Sequence, residues 1–487
     1  MSILDFFGRL KHDEEIIEKI ENDSQNRLTD LQVLERQIKA FIDSDTRKWQ
    51  ITGERYYNGK QDILDAYRTI IGEGGVCQSV DNLPNNKLID NQYAKLVDQK
   101  VNYQFGKPFV ANTENDTYQG LIKKVFNKRF FRTFRNVGYD SLNGGIGWLY
   151  PYIDEGEIKF KRFPPYEILP IWSDIEKTEL KEAIRVYKES SYEGDNKVVK
   201  TKIDLITVDG VYPYVLESGK LIPDVEREFT PYISVINGEQ VAYYNWGRVP
   251  LVPFKSNNKE IPLIRRVKSL QDAINTVTSM FLNNMQEDAR NTILVIRNYG
   301  GQNLGELRKN LALYGAVGVD GDGGIDTLTV EVNAQNYKEL LKILKDAIIS
   351  NGRGYDAKDD RMSNNPNQMN IQSMYSDIEL DANGIEIEFQ AAFEELLYFV
   401  NQFLLNTGRG DYRNEEVEII FNRDMLVNEK EILEVLQLAR QLGVSQYTTI
   451  SQIPFINDPT KELERISEEN AQVNQDSLFT NAFGGAN

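Results

Sequence analysis

Apolar residues in this chain recur with two periods, three-to-four and two, and the changes between them divide it into regions. From Asp13 to about Thr52, apolar positions at helical spacing lie among many charges, which predicts one or two solvated helices; "ERYYNGKQDI" follows as a turn signal. In residues 85–109, Ile89, Tyr93, Leu96 and Val97 share one helical face, and Gly106 and Pro108 mark its end. Residues 118–147 read as further helix closing on glycines. From Trp148 the period becomes two. "WLYPYI", the turn "DEGE" and "IKFKRF" predict a hairpin, and strand-like runs at "EAIRVYKE", "KTKIDLITV", "GVYPYVLES", "YISVI" and "QVAYYNW" make 148–250 mainly β.

The helical period then returns. Val267, Leu270, Ile274, Val277, Phe281 and Met285 form one stripe of a long helix over 261–290. Residues 291–332 read as a small α/β insert: a strand, a short helix over 303–313, and a hairpin around the glycine turn "DGDGG". A second helix, 333–352, carries Tyr337, Leu340, Leu341, Leu344 and Ile348 on one face, with Gly352 as its C-terminal cap. The charged, Asn-rich stretch "SNGRGYDAKDDRMSNNPNQMN" (350–370) then leads into a helix over 371–406. There Phe389, Phe393, Leu396, Val400 and Phe403 are in register, and Asn383–Gly384 marks a kink. Short capped helices follow, one opened by Asn428 with Glu431 and closed by Gly443, another opened by Asp458 and Pro459; 471–487 is expected to be a flexible tail.

Composition narrows the function. Of 487 residues, 40% are hydrophobic and 15 are prolines, which is the make-up of an ordered protein of several domains or one elongated fold. Fifty-six Lys plus Arg against 74 Asp plus Glu leave a net charge of −18, the opposite of the footprint of a protein that grips nucleic acid by its phosphates. The start "MSILDFFGRLKHDEE" is not a signal peptide and no apolar run is long enough to span a membrane, so a soluble protein made in a cytoplasm is expected. One cysteine, Cys77, excludes an internal disulfide and is expected to be a packed small hydrophobe.

Candidate chemistry is sparse. A single histidine, His12, leaves no Ser/His/Asp or multi-His metal site, and no phosphate-binding glycine motif occurs. Asp320, Asp322 and Glu331 imitate calcium-loop spacing, but Ile325 stands where the loop needs glycine, so a plain hairpin turn is expected. Asp356, Asp359 and Asp360 could in principle hold Mg²⁺ for a carboxylate enzyme acting on nucleic acid, but no second acidic cluster supports them. The basic, aromatic stretch "KKVFNKRFFRTFR" (123–135) is better explained by a helix that buries Val125, Phe126, Phe130 and Phe134 than by a nucleic-acid or membrane site. Neither a metal nor a cofactor is expected.

The order of these stretches resembles the portal proteins, or head-to-tail connectors, of tailed double-stranded-DNA bacteriophages, in the branch typical of long noncontractile tails. The likeness lies in "YYNGKQDI" with "NNKLIDNQYAKLVDQKVNYQFGKPF", "RVPLVPFKSNNKEIPLIRRVKSLQDAINTVTSMFLNNMQE", "ILVIRNYGGQNLGELRKNLALYGAVGVDGDGGIDTLTVEV" and "QIPFINDPTKELERI", and spans about 50–470. The resemblance implies an elongated α+β portal fold assembling into a ring. Its parts would be an N-terminal helical arm (1–40), a wing (41–260), a two-helix stem (261–290 and 333–352) and an α/β clip (291–332). A tunnel loop (353–369), a long kinked wing helix with a following strand (370–424), a helical crown (425–470) and the tail (471–487) complete it.

The same resemblance implies a non-enzymatic ring, typically of twelve copies, at one capsid vertex of the virion, assembled in the host bacterial cytoplasm without a membrane. Its expected partners are double-stranded DNA in the channel, the terminase large subunit, head-completion or adaptor proteins, and the major capsid and scaffolding proteins. A structural capsid-associated protein that forms no pore is the other open reading. Arg353, Tyr355, Lys358, Arg361, Asn364, Asn365 and Asn367 would face DNA; the loop's three cations balance Asp356, Asp359 and Asp360, and its amides suit transient phosphate contacts. In the clip, Asn303, Glu306, Arg308, Lys309, Asp320 and Asp322 would meet terminase or adaptor.

Overall fold

The computed structural model describes residues 30–71, 76–79, 83–193, 196–237, 240–288, 292–297, 324–329, 334–356, 368–423, 429–453, 456 and 459–470. The charged N-terminal region begins there as two helices, α1 (Asp30–Asp43) and α2 (Asp45–Tyr57). Ser44 separates them: its hydroxyl donates to the Phe41 carbonyl at 2.7 Å and accepts the Arg47 N–H at 3.2 Å, closing one helix and capping the next. α1 is not simply solvated, because Leu34, Ile38 and Phe41 are buried on a sheet.

Three asparagines start the next helices. Asn91 caps α3 (Gln92–Phe105), Asn115 caps α4 (Asp116–Val125) and Asn127 caps α5 (Lys128–Gly144), each accepting a first-turn N–H. α3 therefore begins seven residues later than its apolar spacing suggests, and Ile89 lies in an extended segment before it. The stretch 123–135 is two helices rather than one, broken at Phe126–Asn127, and it buries Phe126, Phe130 and Phe134 as expected.

The period-two region forms two antiparallel sheets. One has the strand order Lys220–Pro223, Gly210–Glu217, Asn196–Ile206, Leu180–Glu193, Ile168–Trp172, with Thr230–Pro231 also beside Gly210–Glu217. The other orders Val252–Lys255, Ile146–Asp154 and Glu157–Phe163, and includes the hairpin expected at "DEGE". Alternation along the strands places Ile184 with α1 on one face of the larger sheet and Ala183 with Trp148 and Ile146 on the other. Four two-stranded pairs complete the β structure of the described residues, among them Thr292–Arg297 with Gly324–Thr329.

α6 (Ile264–Asp288) precedes that pair and α7 (Ala334–Gly352) follows it. The apolar stripe of α6 buries Val267 and Ile274, but Met285 at its far end is 53% exposed. α8 (Gln368–Asn406) has 39 residues, about 58 Å at 1.5 Å per residue, and its assigned helix is continuous through Asn383 and Gly384. Near the C-terminus come α9 (Glu429–Gln441), with Gly443 at φ 93° beyond it, α10 (Gln446–Ser451) and a helix over 459–470 that opens at Pro459. Cys77 is exposed on a short strand, not packed, because among the described residues the Cys77–Ser79 strand pairs only with Thr69–Ile71.

The main core is aromatic. Phe389 and Phe393 of α8 meet Phe105 of α3, Phe134 of α5 and Phe254 at ring-centroid distances of 4.9–5.8 Å. Each buried phenylalanine contributes about 1.5–3 kcal/mol. This cluster holds α8 against the helices α3 and α5, so the start of α8 and the end of α7 are brought to the same support. No helix of the described residues is long and apolar enough to cross a membrane.

A buried charge network braces the larger sheet. Lys202, whose side chain is 2% exposed, donates to Asp224 at 2.8 Å; Arg227 reaches Asp224 at 2.9 Å and Asp204 at 2.8 Å. Burial opposes ionisation of Asp224, but these cations and the Glu226 N–H outweigh it and hold the carboxyl down at about 2. A carboxylate whose folded pKa is depressed stabilises the fold above its unfolded value near 4 and loses that contribution as pH falls towards 2. Asp224→Asn is thus expected to lower the melting temperature at pH 7, with the gap from wild type narrowing as pH falls from about 4 to about 2. A gap that does not change with pH would remove Asp224 from this role.

Candidate functional site

The region between α7 and α8 starts with a tight helix end. The Arg353 N–H donates to the Ser350 carbonyl at 3.2 Å and the Gly354 N–H to the Ile349 carbonyl at 2.9 Å, the paired bonds of a Schellman turn. Gly352 is the cap residue, as its position in the sequence implies, but the left-handed residue is Arg353, at φ 52°. Glycine is needed at 352 for another reason. A Cβ there would stand 2.2 Å from Leu96 Cδ2, and one at Gly354 2.5 Å from Leu96 Cδ1, so the chain leaves α7 in direct contact with α3.

α3 then supplies two anchors of the loop base. Lys100 Nζ donates to the Arg353 carbonyl at 3.1 Å, and Gln99 Nε2 to the Tyr355 carbonyl at 3.0 Å. The Tyr355 ring lies 4.6 Å from Tyr375 of α8, which stacks on Tyr103 of α3 at 5.7 Å. Ile371, Met374, Ile378 and Ala382 close around the same Tyr103. Both ends of the 353–369 region are thereby seated on one face of α3, between Leu96 and Tyr103.

At the centre is a buried ion pair. The Lys100 side chain, 2% exposed, donates to Asp381 Oδ2 at 2.7 Å, while Arg266 and Arg353 each lie 3.5 Å from Asp381 Oδ1. Burial pushes the Lys100 ammonium below its usual range and Asp381 pulls it back. On either side of Asp381 on α8, Arg423 binds Glu379, Asn383 (2.6 Å) and Glu386 (2.5 Å), and the Tyr103 hydroxyl donates to Glu379. Four helices therefore converge here: α3, α6 through Arg266, the end of α7, and α8.

A second feature locks α6 to the same support. Residues 84–91 run extended and antiparallel along α6, with Asn86, Leu88 and Asp90 donating their N–H groups to Asn283 Oδ1 (2.8 Å), Ser279 Oγ (2.9 Å) and Asn275 Oδ1 (3.1 Å), and the Tyr93 N–H in the first turn of α3 donates to Gln271 Oε1 (3.0 Å). All four acceptor residues are buried. The match is geometric: two residues of an extended chain advance about 6.7 Å and four of a helix about 6.0 Å, so alternate amides meet acceptors one per helical turn. Lys345 of α7 joins the segment through Asp90 at 2.7 Å. The Gln-x3-Asn-x3-Ser-x3-Asn repeat at 271–283 is visible in the sequence, but a search for apolar stripes passes over it.

Of the expected DNA-facing residues, Arg353 is half exposed and Tyr355 half buried, both at the loop base. Lys358, Arg361, Asn364, Asn365 and Asn367 lie outside the described residues, as do Asp359 and Asp360. So do Asn303, Glu306, Arg308, Lys309, Asp320 and Asp322, together with Glu331 and His12. Among the described residues no group of three or more His, Cys, Asp or Glu is placed to hold a metal ion.

The family described as phage portal protein, SPP1 Gp6-like, matches residues 41–476. A portal protein of Bacillus phage SPP1 is 29% identical over 437 residues, covering 89% of this chain and 86% of that protein. A portal protein of Clostridium phage phiCD119 is 26% identical over 464 residues, covering 90% of this chain and 96% of that protein.

Two tests address the site. Asp381→Asn leaves Lys100 buried without its carboxylate and is expected to cost about 3 kcal/mol in chemical denaturation, whereas Lys100→Met, which leaves Asp381 beside two arginines, costs less. The reverse order would discard this account of the ion pair. Asn275→Leu removes the acceptor of the Asp90 N–H, so hydrogen exchange over 86–90 should quicken at least about tenfold, in line with about 1–3 kcal/mol for an unsatisfied buried donor; unchanged exchange would show that the polar track does not hold the segment.

Proposed function

The chain belongs to the SPP1 Gp6-like family of phage portal proteins, and from that premise we propose how its parts serve a portal. Residues 41–260 with α8 form the wing, α6 and α7 the stem, 291–332 the clip, 353–369 the tunnel loop and 425–470 the crown. Copies assemble into a closed ring, typically of twelve, at one vertex of the capsid. DNA driven by the terminase enters through the ring and leaves through it on ejection, and the neck is seated on the clip side. The proposed work is structural: no catalytic step is assigned to any residue.

The observation that carries the channel assignment is the double seating of the loop on α3. A segment that touches moving DNA needs ends that do not move with it, and here both ends are fastened by the Leu96, Gln99, Lys100 and Tyr103 face of one helix. The acidic chain, at −18, fits passage better than grip, because a lysine or arginine on every phosphate would make each step of sliding break a charged contact. Within the loop, Lys358, Arg361, Asn364, Asn365 and Asn367 are the residues proposed to meet DNA. In the clip, Asn303, Glu306, Arg308, Lys309, Asp320 and Asp322 are proposed to meet terminase or adaptor. The major capsid and scaffolding proteins are the proposed partners around the ring, and assembly is proposed to take place in the host cytoplasm.

Removing 357–365 while keeping the α3-anchored base should leave ring size unchanged by mass photometry and reduce the DNA packaged per particle. Normal packaging by such rings would reject the channel role of the loop.

A further inference from the structure

We infer that the cleft between the C-terminal end of α3 and α5 receives the Asp174–Ile175–Glu176 turn of a second copy of this chain, an inference that rests on the ring-forming reading above. The cleft holds about 450 Å³; Phe109, Phe131 and Tyr139 are among its apolar walls, and Lys107, Arg132 and Arg135 stand along it. All three cations are exposed. Arg135 lies over the Tyr139 ring at 5.9 Å and donates to Asn102, whereas Arg132 makes no hydrogen bond or ion pair among the described residues. Gln104, 2% exposed, also lines the cleft beside Glu386. Apolar walls and cations together select an apolar side chain flanked by carboxylates.

The chain presents such a group elsewhere on its own surface. Ile175 is 97% exposed between Asp174 and Glu176. The turn is braced, because the Asp174 carboxylate accepts the N–H groups of Thr178 at 3.1 Å and Glu179 at 2.9 Å. Those bonds hold the Asp174 carboxyl below its usual range, so it is charged at neutral pH. A knob ordered before contact loses less conformational freedom on binding than a mobile one. Val225 is nearly as exposed, at 96%, but the carboxylate of its neighbour Asp224 is buried with Lys202, so it lacks the second acidic flank. None of Asp174, Ile175 and Glu176 lines the cleft of its own chain. The contact joins two different patches and is therefore head-to-tail, the kind that closes into a ring when its rotation allows.

The test uses the full chain with Cys77→Ser. In that background, Ile175→Cys with Asn136→Cys should give a ladder of covalent multimers on oxidation. Ile175→Lys, and separately Arg132→Glu with Arg135→Glu, should raise the concentration needed for ring formation at least about tenfold, the size of change that follows from losing an interface anchor. The melting temperature of the dissociated chain should stay at its wild-type value. Rings that form without a ladder and are indifferent to both charge variants overturn this contact while leaving the ring reading intact. A wild-type chain that stays monomeric removes the ring reading and this contact together.

Discussion

Backbone N–H groups buried away from water must find acceptors, and in this protein that requirement decides how the long helices are held together. Among the described residues, the extended segment before α3 has no neighbouring strand to pair with. Its alternate amides are taken by Asn275, Ser279 and Asn283, and Gln271 takes the Tyr93 amide at the start of α3, a polar row at one residue per turn of α6. A row of apolar side chains would let α6 slide along its support; a row of directional acceptors fixes its register. Gln271 Nε2 also donates to the Asp90 carbonyl at 2.8 Å, and Asn275 Nδ2 to Gln61 Oε1 at 2.5 Å, so the row ties α6 to two parts of the chain at once.

From that fixed register the rest follows. α3 continues directly from the extended segment, and one of its faces receives the end of α7 through Leu96 and the beginning of α8 through Tyr103. The Lys100–Asp381 pair lies between them, shielded from water, where Lys100 depends on Asp381 for its charge complement. The phenylalanine cluster around Phe389 and Phe393 then fastens α8 to α5 and the smaller sheet. The proposed tunnel loop is thus carried by helices that are fixed to one another.

Much of this was legible in the sequence where the cause is local. The Leu96 and Val97 face of α3, the hairpin turn at 154–157 and the phenylalanine register of α8 are all read from spacing alone. The misses come from causes far away in the chain. Ile89 and its neighbours have helical spacing, yet they are extended because their acceptors lie 185 to 197 residues further on. α1 looks solvated until the sheet strands that cover Leu34 and Ile38 are in place. Cys77, expected inside, is exposed on an isolated two-strand pair. At the loop base, the left-handed Arg353 and the crowding of Gly352 on Leu96 depend on tertiary contact, which composition does not encode.

In the proposed portal the segment joining α7 to α8 faces the axis of a ring of copies. A single-particle reconstruction of the purified chain tests it most directly. It should show a closed ring with the α3 face at Leu96–Tyr103 turned towards the central channel and the 353–369 segment of every copy lining it. A ring with that segment on its outer perimeter, or particles with no central opening, would contradict the account.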